Sequence, residues 1–232
     1  MEWRRVDLAI CDSTNDEALA LARQGAPHGT VVIANQQRAG RGREGRVWQS
    51  PPGAGLYMSI VLRPRLPLAE VPPLTLAIGI AVCDAARAHG AAAQLKWPND
   101  VLVGTRKLAG VLVEAQSQGG VLESAIAGIG VNLTGELPPE LHAVSLGADG
   151  IDREAFIATL LAQLALRLDN YAGVPVADWT ARMAPDLPAR AGAIVGVCAG
   201  IAADGALLLR DASGSAHRVR SGEVEILRKP VS

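Results

Sequence analysis

The chain has 232 residues, a formal net charge of −1 at pH 7 and 49% hydrophobic residues. This composition excludes an intrinsically disordered chain and a generally basic nucleic-acid-binding domain. Apolar runs such as Val71 to Cys83 are shorter than the about 20 residues that a membrane span requires. Because no apolar secretory segment follows Met1 and the three cysteines form no CxxC pair, we expect a cytoplasmic protein without disulfides or a zinc site.

Secondary-structure signals along the first part of the chain alternate between helices and strands. A cluster of helix-capping residues at 12–15 precedes strong helix formers, and the apolar residues from Phe156 to Leu168 repeat at helical spacing. Short aliphatic and β-branched runs are typical of buried strands. The predicted helices are 16–23, 74–89 and 156–168, and the predicted strands are 31–34, 56–62, 95–97, 101–103, 108–115 and 124–133. This pattern indicates an α+β fold.

The composition changes after Pro185. From Pro188 to Gly222, glycines recur between short apolar runs, a pattern typical of short strands joined by tight turns. We therefore predict a first domain at residues 1–186 and a small β-barrel at residues 187–232. A barrel of this size would be marginally stable alone, so we expect it to pack against the first domain.

The segment from Gly40 to Trp48 concentrates glycine and arginine. Four arginines lie within residues 38–46 of a nearly neutral chain. The segment matches the pattern GxGxxG, but residues 48–52, with two prolines, do not open the helix that a dinucleotide site requires. Glycines let the backbone approach a ligand, and guanidinium groups bind phosphates and carboxylates in a bidentate way. The sequence favours an anion site here, and the alternative is a solvated loop with scattered ion pairs.

Lysine is rare in this chain, which has only Lys96, Lys107 and Lys229. The run 96–100, Lys-Trp-Pro-Asn-Asp, places a lysine near a carboxylate that would suit a metal, a ribose or an amine, although it is also common turn chemistry. Lys107 precedes an apolar strand, where its ammonium group can face a developing negative charge or simply extend to solvent. The glycines in Gly128 to Asn132 indicate either close approach of a flat ligand or tight backbone packing.

Taken in order along the chain, these segments resemble the biotin–protein ligases. The matched motifs are Ser13-Thr14-Asn15, Gln37, Gly40 to Arg46, Trp48 with Ser50-Pro51, Lys96 to Asp100, Arg106 to Gly110, Gly128 to Asn132, Asp204 to Leu209 and Ser221 to Val224. The resemblance implies an α+β fold, in which a mixed-sheet catalytic domain of the biotin/lipoate ligase type precedes a small SH3-like β-barrel. It also implies that ATP, accompanied by Mg²⁺, activates biotin to biotinyl-5′-AMP, and that biotin then passes to a lysine of a biotin carboxyl carrier domain.

The resemblance assigns roles to individual residues. The implied biotin-binding residues are Ser13, Thr14, Asn15, Gln37, Arg41, Gly42, Arg43, Lys107 and Gly110. The implied nucleotide-binding residues are Arg41, Arg43, Arg46, Trp48, Lys96 and Asn132. Lys107, Arg43 and Asp100 are the implied catalytic residues, with Asp100 as a magnesium ligand or as the group that orients the acceptor amine. From the residues alone, Ser13-Thr14-Asn15 is also explained by helix capping.

Two rival functions remain open at this point. Lipoate–protein ligases share the fold and the adenylation chemistry but lack this glycine–arginine loop and the run 96–100. A nucleotide or biotin sensor without transfer activity is disfavoured by the presence of Lys107 and the complete set of arginines. Since the motif at 13–15 lies almost at the start of the chain, we expect no helix-turn-helix domain, no DNA binding and no repressor activity. We also expect no membrane partner, and the sequence leaves a homodimer open.

Overall fold

The computed structural model describes residues 1–64, 67, 71–118, 121–147, 150–169, 171, 173–184 and 187–227. The helices are α1 (Thr14–Arg23), α2 (Val71–Ala88), α3 (Arg153–Leu168) and α4 (Val176–Thr180). The first seven strands are β1 (Arg4–Leu8), β2 (Thr30–Ala34), β3 (Gly55–Leu62), β4 (Ala93–Lys96), β5 (Asp100–Val103), β6 (Arg106–Gln118) and β7 (Val121–Asn132). The last five are β8 (Pro188–Ala191), β9 (Ile194–Ile201), β10 (Leu207–Arg210), β11 (Ala216–Val219) and β12 (Glu225–Ile226).

The first seven strands form one mixed sheet in the order β1-β2-β3-β7-β6-β5-β4. The β1–β2 pair is parallel, and every other neighbouring pair in this sheet is antiparallel. The prediction of a mixed-sheet domain is therefore confirmed. The long strands β6 and β7 lie in the middle of the sheet. They carry two of the sequence motifs, Arg106 to Gly110 on β6 and Gly128 to Asn132 on β7.

The two faces of this sheet are covered differently. Helices α2 and α3 pack on one face, where alternate residues of β3 such as Met58 and Ile60 join the larger core. Helix α1 packs on the opposite face against Val61 and its neighbours. Along β6 and β7, Val111 and Ile129 point into the larger core. Because side chains alternate along a strand, the glycines beside them face the side of the sheet that carries α1.

Helix α2 is long and apolar enough to span a membrane by length and composition, with a mean hydropathy of 1.3 over 18 residues. It is nevertheless a core helix of this fold, because 72% of that window is buried. Asp84, near its end, is held by the guanidinium groups of Arg167 from α3 and Arg182 from the segment after α4. This ion-pair cluster ties the helices to the segment that leads into the last five strands.

Strands β8 to β12 form a second sheet in the order β11-β10-β9-β8-β12. The prediction of short strands joined by turns is confirmed, but among the described residues no pairing joins β11 to β12, so the closed barrel is not found. The sheet packs against the first one as expected, since its Leu207 and Leu209 belong to the larger core and Trp97 Nε1 donates a hydrogen bond of 2.9 Å to the carbonyl oxygen of Gly205.

Each helix and strand predicted from the sequence before residue 185 is present, with ends shifted by a few residues. Strand β1 and helix α4 were not predicted. The sequence of β1, Arg-Arg-Val-Asp-Leu, carries three charged residues and has an exposed edge, so it lacks the apolar pattern of a buried strand. Lys229 and the predicted domain boundary at 186 lie outside the described residues.

Candidate functional site

A deep cleft lies on the face of the sheet that carries α1, between that helix, the loop 40–48 and the edge of the second sheet. Its empty volume, including the solvent at its open mouth, is about 920 Å³. The predicted site residues that line it are Ser13, Thr14, Asn15, Gln37, Arg41, Gly42, Arg43, Arg46, Trp48, Lys96, Asp100, Lys107 and Gly110. Sequence motifs that are far apart along the chain, from Ser13 to Glu223, therefore converge on one cleft.

Asn132 is the predicted site residue that the structure does not bring to the cleft. It ends β7, and its amide nitrogen donates a hydrogen bond of 3.3 Å to the carbonyl oxygen of Lys107. This contact places Asn132 behind Lys107, where it braces the start of β6. Its predicted role in binding nucleotide stays a prediction.

One end of the cleft, which we call the polar end, is formed by the N-terminus of α1. Ser13 occupies the N-cap position, yet no side-chain capping bond forms there. Instead, the backbone N–H of Thr14 donates to Gln37 Oε1 at 2.8 Å, and the amide nitrogen of Asn15 donates to Glu114 Oε2 at 2.5 Å. The polar groups of this motif are therefore directed across the sheet, and helix capping does not explain them.

The glycine–arginine loop folds back on itself above the cleft. Gly42 N–H donates to the carbonyl oxygen of Arg46 at 2.7 Å, and Trp48 N–H donates to that of Gly40 at 2.9 Å. A single 3-10 turn at Arg43–Gly45 reverses the chain, with Glu44 in the left-handed region at a φ of 57°. These bonds make the loop a short hairpin that displays its arginines on several sides.

The arginines of this loop contact three separate parts of the protein. Arg41 makes a bidentate pair with Asp16 of α1, at 2.5 and 2.7 Å, and also lies 3.4 Å from Glu114 of β6. Arg43 Nη1 donates to Asn99 Oδ1 at 3.4 Å. Arg46 forms an ion pair with Glu223, which lies just before β12 in the second sheet. The loop is thus attached to both sheets and to α1.

Two of the rare lysines meet at one carboxylate on the floor of the cleft. Lys107 Nζ lies 2.6 Å from Asp100 Oδ1, and Lys96 Nζ lies 3.3 Å from Asp100 Oδ2. Burial alone would raise the pKa of Asp100, but the ammonium groups of Lys107 and Lys96 outweigh it and hold the pKa of this carboxyl below its usual range. Lys107 also lies 5.3 Å from the centre of the Trp48 ring, within the range of a cation–π contact.

The glycines of β6 and β7 make room for side chains of the cleft. A Cβ atom at Gly130 would collide with the Trp48 ring, and one at Gly128 would collide with the amide of Asn15. At Gly110, a Cβ atom would lie 3.2 Å from Lys107 Nζ and 3.3 Å from the Trp48 ring. The space beside these glycines is therefore occupied by the side chains of Trp48 and Asn15.

Three residues of the site were not predicted. Ser59 of β3 and Glu114 of β6 contact the polar end of the cleft from behind, and Glu223 joins its wall from the second sheet. A serine inside the apolar strand 56–62 was a usable signal for Ser59. Glu223 follows the glycine of a short motif in the tail, and nothing in the sequence pairs it with Arg46.

Comparison with known proteins identifies the family of the chain. The model of the biotin/lipoate A/B protein ligase family matches residues 8–132, and that of the biotin protein ligase C-terminal domain matches residues 187–227. The biotin–[acetyl-CoA-carboxylase] ligase of Paracoccus denitrificans is 39% identical over 89% of this chain and 94% of its own length. The bifunctional ligase/repressor BirA of Bacillus spizizenii is 35% identical over 94% of this chain and 72% of its own length.

A solved structure gives the same result for the fold. The biotin protein ligase of Aquifex aeolicus, in complex with biotin and ATP, superposes with a TM-score of 0.81 at 27% identity, over 97% of this chain and 99% of that one. Both family models, the full-length relatives and this superposition point to one assignment. The chain belongs to the biotin/lipoate A/B protein ligase family, and within that family to the biotin–protein ligases.

Proposed function

We propose that this chain joins biotin to ATP, releasing pyrophosphate and forming biotinyl-5′-AMP, and then transfers biotin to a lysine of a biotin carboxyl carrier domain. The observation that carries the proposal is the arrangement of the cleft. One end presents hydroxyl and amide groups suited to a ureido ring, and the other presents lysines and arginines suited to a carboxylate beside phosphates. The Lys107–Asp100 pair lies among the lining groups that join these two ends.

The polar end is the proposed site of the biotin ring. Thr14, Asn15 and Gln37 offer hydrogen-bonding groups on a rigid support, because Thr14 and Asn15 begin a helix and are almost fully buried. Arg41 closes this end by its bidentate pair with Asp16. In this proposal Arg41, with Ser13 and Gly42, contributes to the biotin end, and its additional role towards the nucleotide stays a prediction.

In the first step, an oxygen of the biotin carboxylate attacks the α-phosphorus of ATP, and the bond to pyrophosphate breaks. The step brings two anions together, so cations that neutralise them lower the barrier. Lys107 is the group we place at the carboxylate and the developing charge, with Lys96, Arg43 and Arg46 around the phosphates. Trp48 supplies an aromatic face beside Lys107 for the nucleotide.

In the second step, the amine of the acceptor lysine attacks the acyl carbon and AMP leaves. The acceptor ammonium must first lose a proton. Asp100 keeps its negative charge at neutral pH, since its pKa is lowered by Lys107 and Lys96. A carboxylate with a lowered pKa is a poor base but a good hydrogen-bond acceptor, so we assign Asp100 to orienting the incoming amine.

The surroundings of Asp100 do not fit a magnesium ion held by the protein. Each of its two oxygens contacts a lysine ammonium group, and in the described part of the chain no cluster of three or more histidine, cysteine, aspartate or glutamate residues is present. A cation at Asp100 would lie beside two ammonium groups, whose positive charges repel it. We therefore treat Mg²⁺ as part of the nucleotide substrate and assign no step to an ion bound by Asp100.

The finer predictions on architecture and cellular context complete the proposal. We propose that residues 187–232 act as an SH3-like domain next to a catalytic domain at 1–186, supported by the five-stranded second sheet and the family match at 187–227. The absence of DNA binding, the cytoplasmic location and a homodimer all stay predictions. An operator-fragment shift by this chain at physiological salt would refute the first of them.

Pyrophosphate exchange tests the first step and separates the rival functions. The purified chain is incubated with ATP and labelled pyrophosphate, with either biotin or lipoate. We expect exchange with biotin and background with lipoate. Exchange that depends on lipoate would favour the lipoate ligase instead, and binding of biotin without exchange would favour a sensor.

A further inference from the structure

Behind the biotin end of the cleft lies a short chain of hydrogen bonds that the proposed reaction does not use. Ser59 of β3 has no exposed surface, and its hydroxyl oxygen lies 2.7 Å from Thr14 Oγ1 and 2.6 Å from Asn15 Oδ1. The Asn15 amide nitrogen then donates to Glu114 Oε2 at 2.5 Å. Neither Ser59 nor Glu114 lines the cleft.

We propose that Ser59 and Glu114 are positioning residues that fix which hydrogen-bonding groups Thr14 and Asn15 present to the ligand. The inference rests on the proposed placement of biotin at these two residues. In this inference, two side chains that do not line the cleft help to set which ligand it binds.

The carboxylate of Glu114 sets which atom donates in each of these hydrogen bonds. An ionised carboxylate only accepts hydrogen bonds, so the NH₂ group of Asn15 must face Glu114 and its oxygen must face Ser59. The single proton of the Ser59 hydroxyl is then committed to Asn15 Oδ1, which cannot donate. The hydroxyl proton of Thr14 then has two acceptors within reach inside the protein, Ser59 Oγ at 2.7 Å and Gln37 Oε1 at 3.0 Å.

This order leaves Thr14 with its lone pairs available. Gln37 Oε1 accepts from the backbone N–H of Thr14 at 2.8 Å and lies 3.0 Å from its hydroxyl, so the proton of Thr14 is directed into the protein and not into the cleft. Thr14 Oγ1 is thus an acceptor towards the cleft, which suits the N–H group of a cyclic urea. Without the charge of Glu114, the Asn15 amide can turn over and the two hydroxyl protons can reverse, so that Thr14 would offer a donor where the ligand also has one.

The position of Glu114 is itself secured. Arg41 Nη2 lies 3.4 Å from Glu114 Oε2, and Arg41 is held by its bidentate pair with Asp16. A buried network in which every hydrogen bond is made is rigid. If one member is removed, its partners become unpaired polar groups with little access to water. The ligand preference of the cleft is therefore expected to depend on Glu114 even though Glu114 does not line the cleft.

The test compares Ser59→Ala and Glu114→Gln with Ser124→Ala, which deletes a buried hydroxyl from β7 of the same sheet outside the cleft. The measurements are the biotin Kd by calorimetry, the KM for ATP in pyrophosphate exchange, and the thermal midpoint. We expect Ser59→Ala and Glu114→Gln each to raise the biotin Kd by roughly tenfold, the size of about one hydrogen bond, with the KM for ATP within about twofold of wild type. Ser124→Ala should leave the biotin Kd unchanged.

A biotin Kd for both variants within about twofold of that of Ser124→Ala would overturn the inference. Because Glu114 is partly exposed, Glu114→Gln decides the question if Ser59→Ala does not fold. Thr14→Val separates the inference from its premise. A large loss of biotin affinity in Thr14→Val with none in the other two variants rejects only the positioning role, whereas normal affinity in Thr14→Val rejects the placement of biotin itself.

Discussion

Arg46 of the glycine–arginine loop forms an ion pair with Glu223 of the second sheet. The pair connects residues 8–132, which match the ligase family model, with the C-terminal segment 187–227, which matches a separate model. The second sheet therefore holds one side of the loop that covers the cleft. Together with the Arg41–Asp16 pair, this contact fixes the loop at two points on either side of its turn.

The Arg46–Glu223 pair is expected to retain the reactive adenylate. Because both side chains are about half exposed, removing one partner should cost only about 0.2–1 kcal/mol, so Glu223→Gln should speed adenylate release by about fivefold at most. Formation of the adenylate should change little. The rate at which the protein releases labelled adenylate is measured by rapid filtration, with Glu225→Gln as the matched control. Equal release rates in the two variants would contradict a role of this pair in closure.

Lys107→Ala is expected to lose adenylate formation by at least about a hundredfold, because the charge beside the reacting carboxylate is removed. Pyrophosphate exchange measures this step directly. Lys96→Ala removes the other ammonium group from Asp100 and serves as the comparison. Since we place Lys107 at the reacting carboxylate and Lys96 at the phosphates, we expect a smaller loss in Lys96→Ala. Near-normal exchange in Lys107→Ala would refute the assignment of that residue.

Asp100 should link stability to pH. Its pKa is lowered in the folded protein, so its contribution to stability is present above the pKa of an unfolded aspartate, about 3.9, and is lost as pH falls through the folded value. The thermal midpoint of wild type should exceed that of Asp100→Asn at pH 7, and the difference should shrink as the pH is lowered below about 4. A difference that stays constant down to acid pH would show that the lysines do not stabilise the carboxylate.

The glycines of β7 should not tolerate a methyl group. Gly130→Ala forces the Trp48 ring away from the strand and should impair nucleotide use, whereas Gly128→Ala displaces Asn15 and should impair biotin binding. Gly79→Ala in α2 is the control, because its Cβ atom would lie at an ordinary distance of 3.6 Å from Leu95 Cδ2. The KM values for ATP and for biotin distinguish the two effects. Wild-type KM values in both β7 variants would contradict the packing described for the cleft.

Asp84 should matter to stability far more than an exposed acid. It is 15% exposed and holds Arg167 and Arg182, so Asp84→Ala leaves two partly buried guanidinium groups without this partner and should cost roughly 3 kcal/mol. Asp12→Ala breaks the exposed pair with Arg38 and should cost less than about 1 kcal/mol. Urea unfolding gives both free energies. Similar costs for the two variants would mean that burial does not strengthen the Asp84 cluster.

Most of the first sheet could be predicted because its strands carry their own signal. The strand 56–62 is mostly apolar on both faces, since one face lies in the larger core and the other meets α1. Strand β1 escaped prediction because its charged residues lie at an exposed sheet edge, where burial does not select apolar side chains. Closure of a barrel could not be decided from spacing, because the turn pattern fixes the strands but not which of them pair.

The site was predictable to the extent that its residues are rare or clustered. Lys96, Lys107 and the arginine loop stand out in a sequence with three lysines, and the structure brings them to one cleft. The partners of those residues were not predictable. Glu114 and Glu223 are ordinary acidic residues, and their pairing with Asn15 and Arg46 depends on how strands and sheets are arranged in space.

The most direct test of the central claim is transfer of biotin to an acceptor by the purified chain. Labelled biotin, ATP and a biotin carboxyl carrier domain are combined with the protein, beside an acceptor whose target lysine is changed to arginine. We predict label on the intact acceptor that requires both ATP and the target lysine. Biotin-dependent pyrophosphate exchange without any label on the acceptor would contradict the assignment of this chain as a complete biotin–protein ligase.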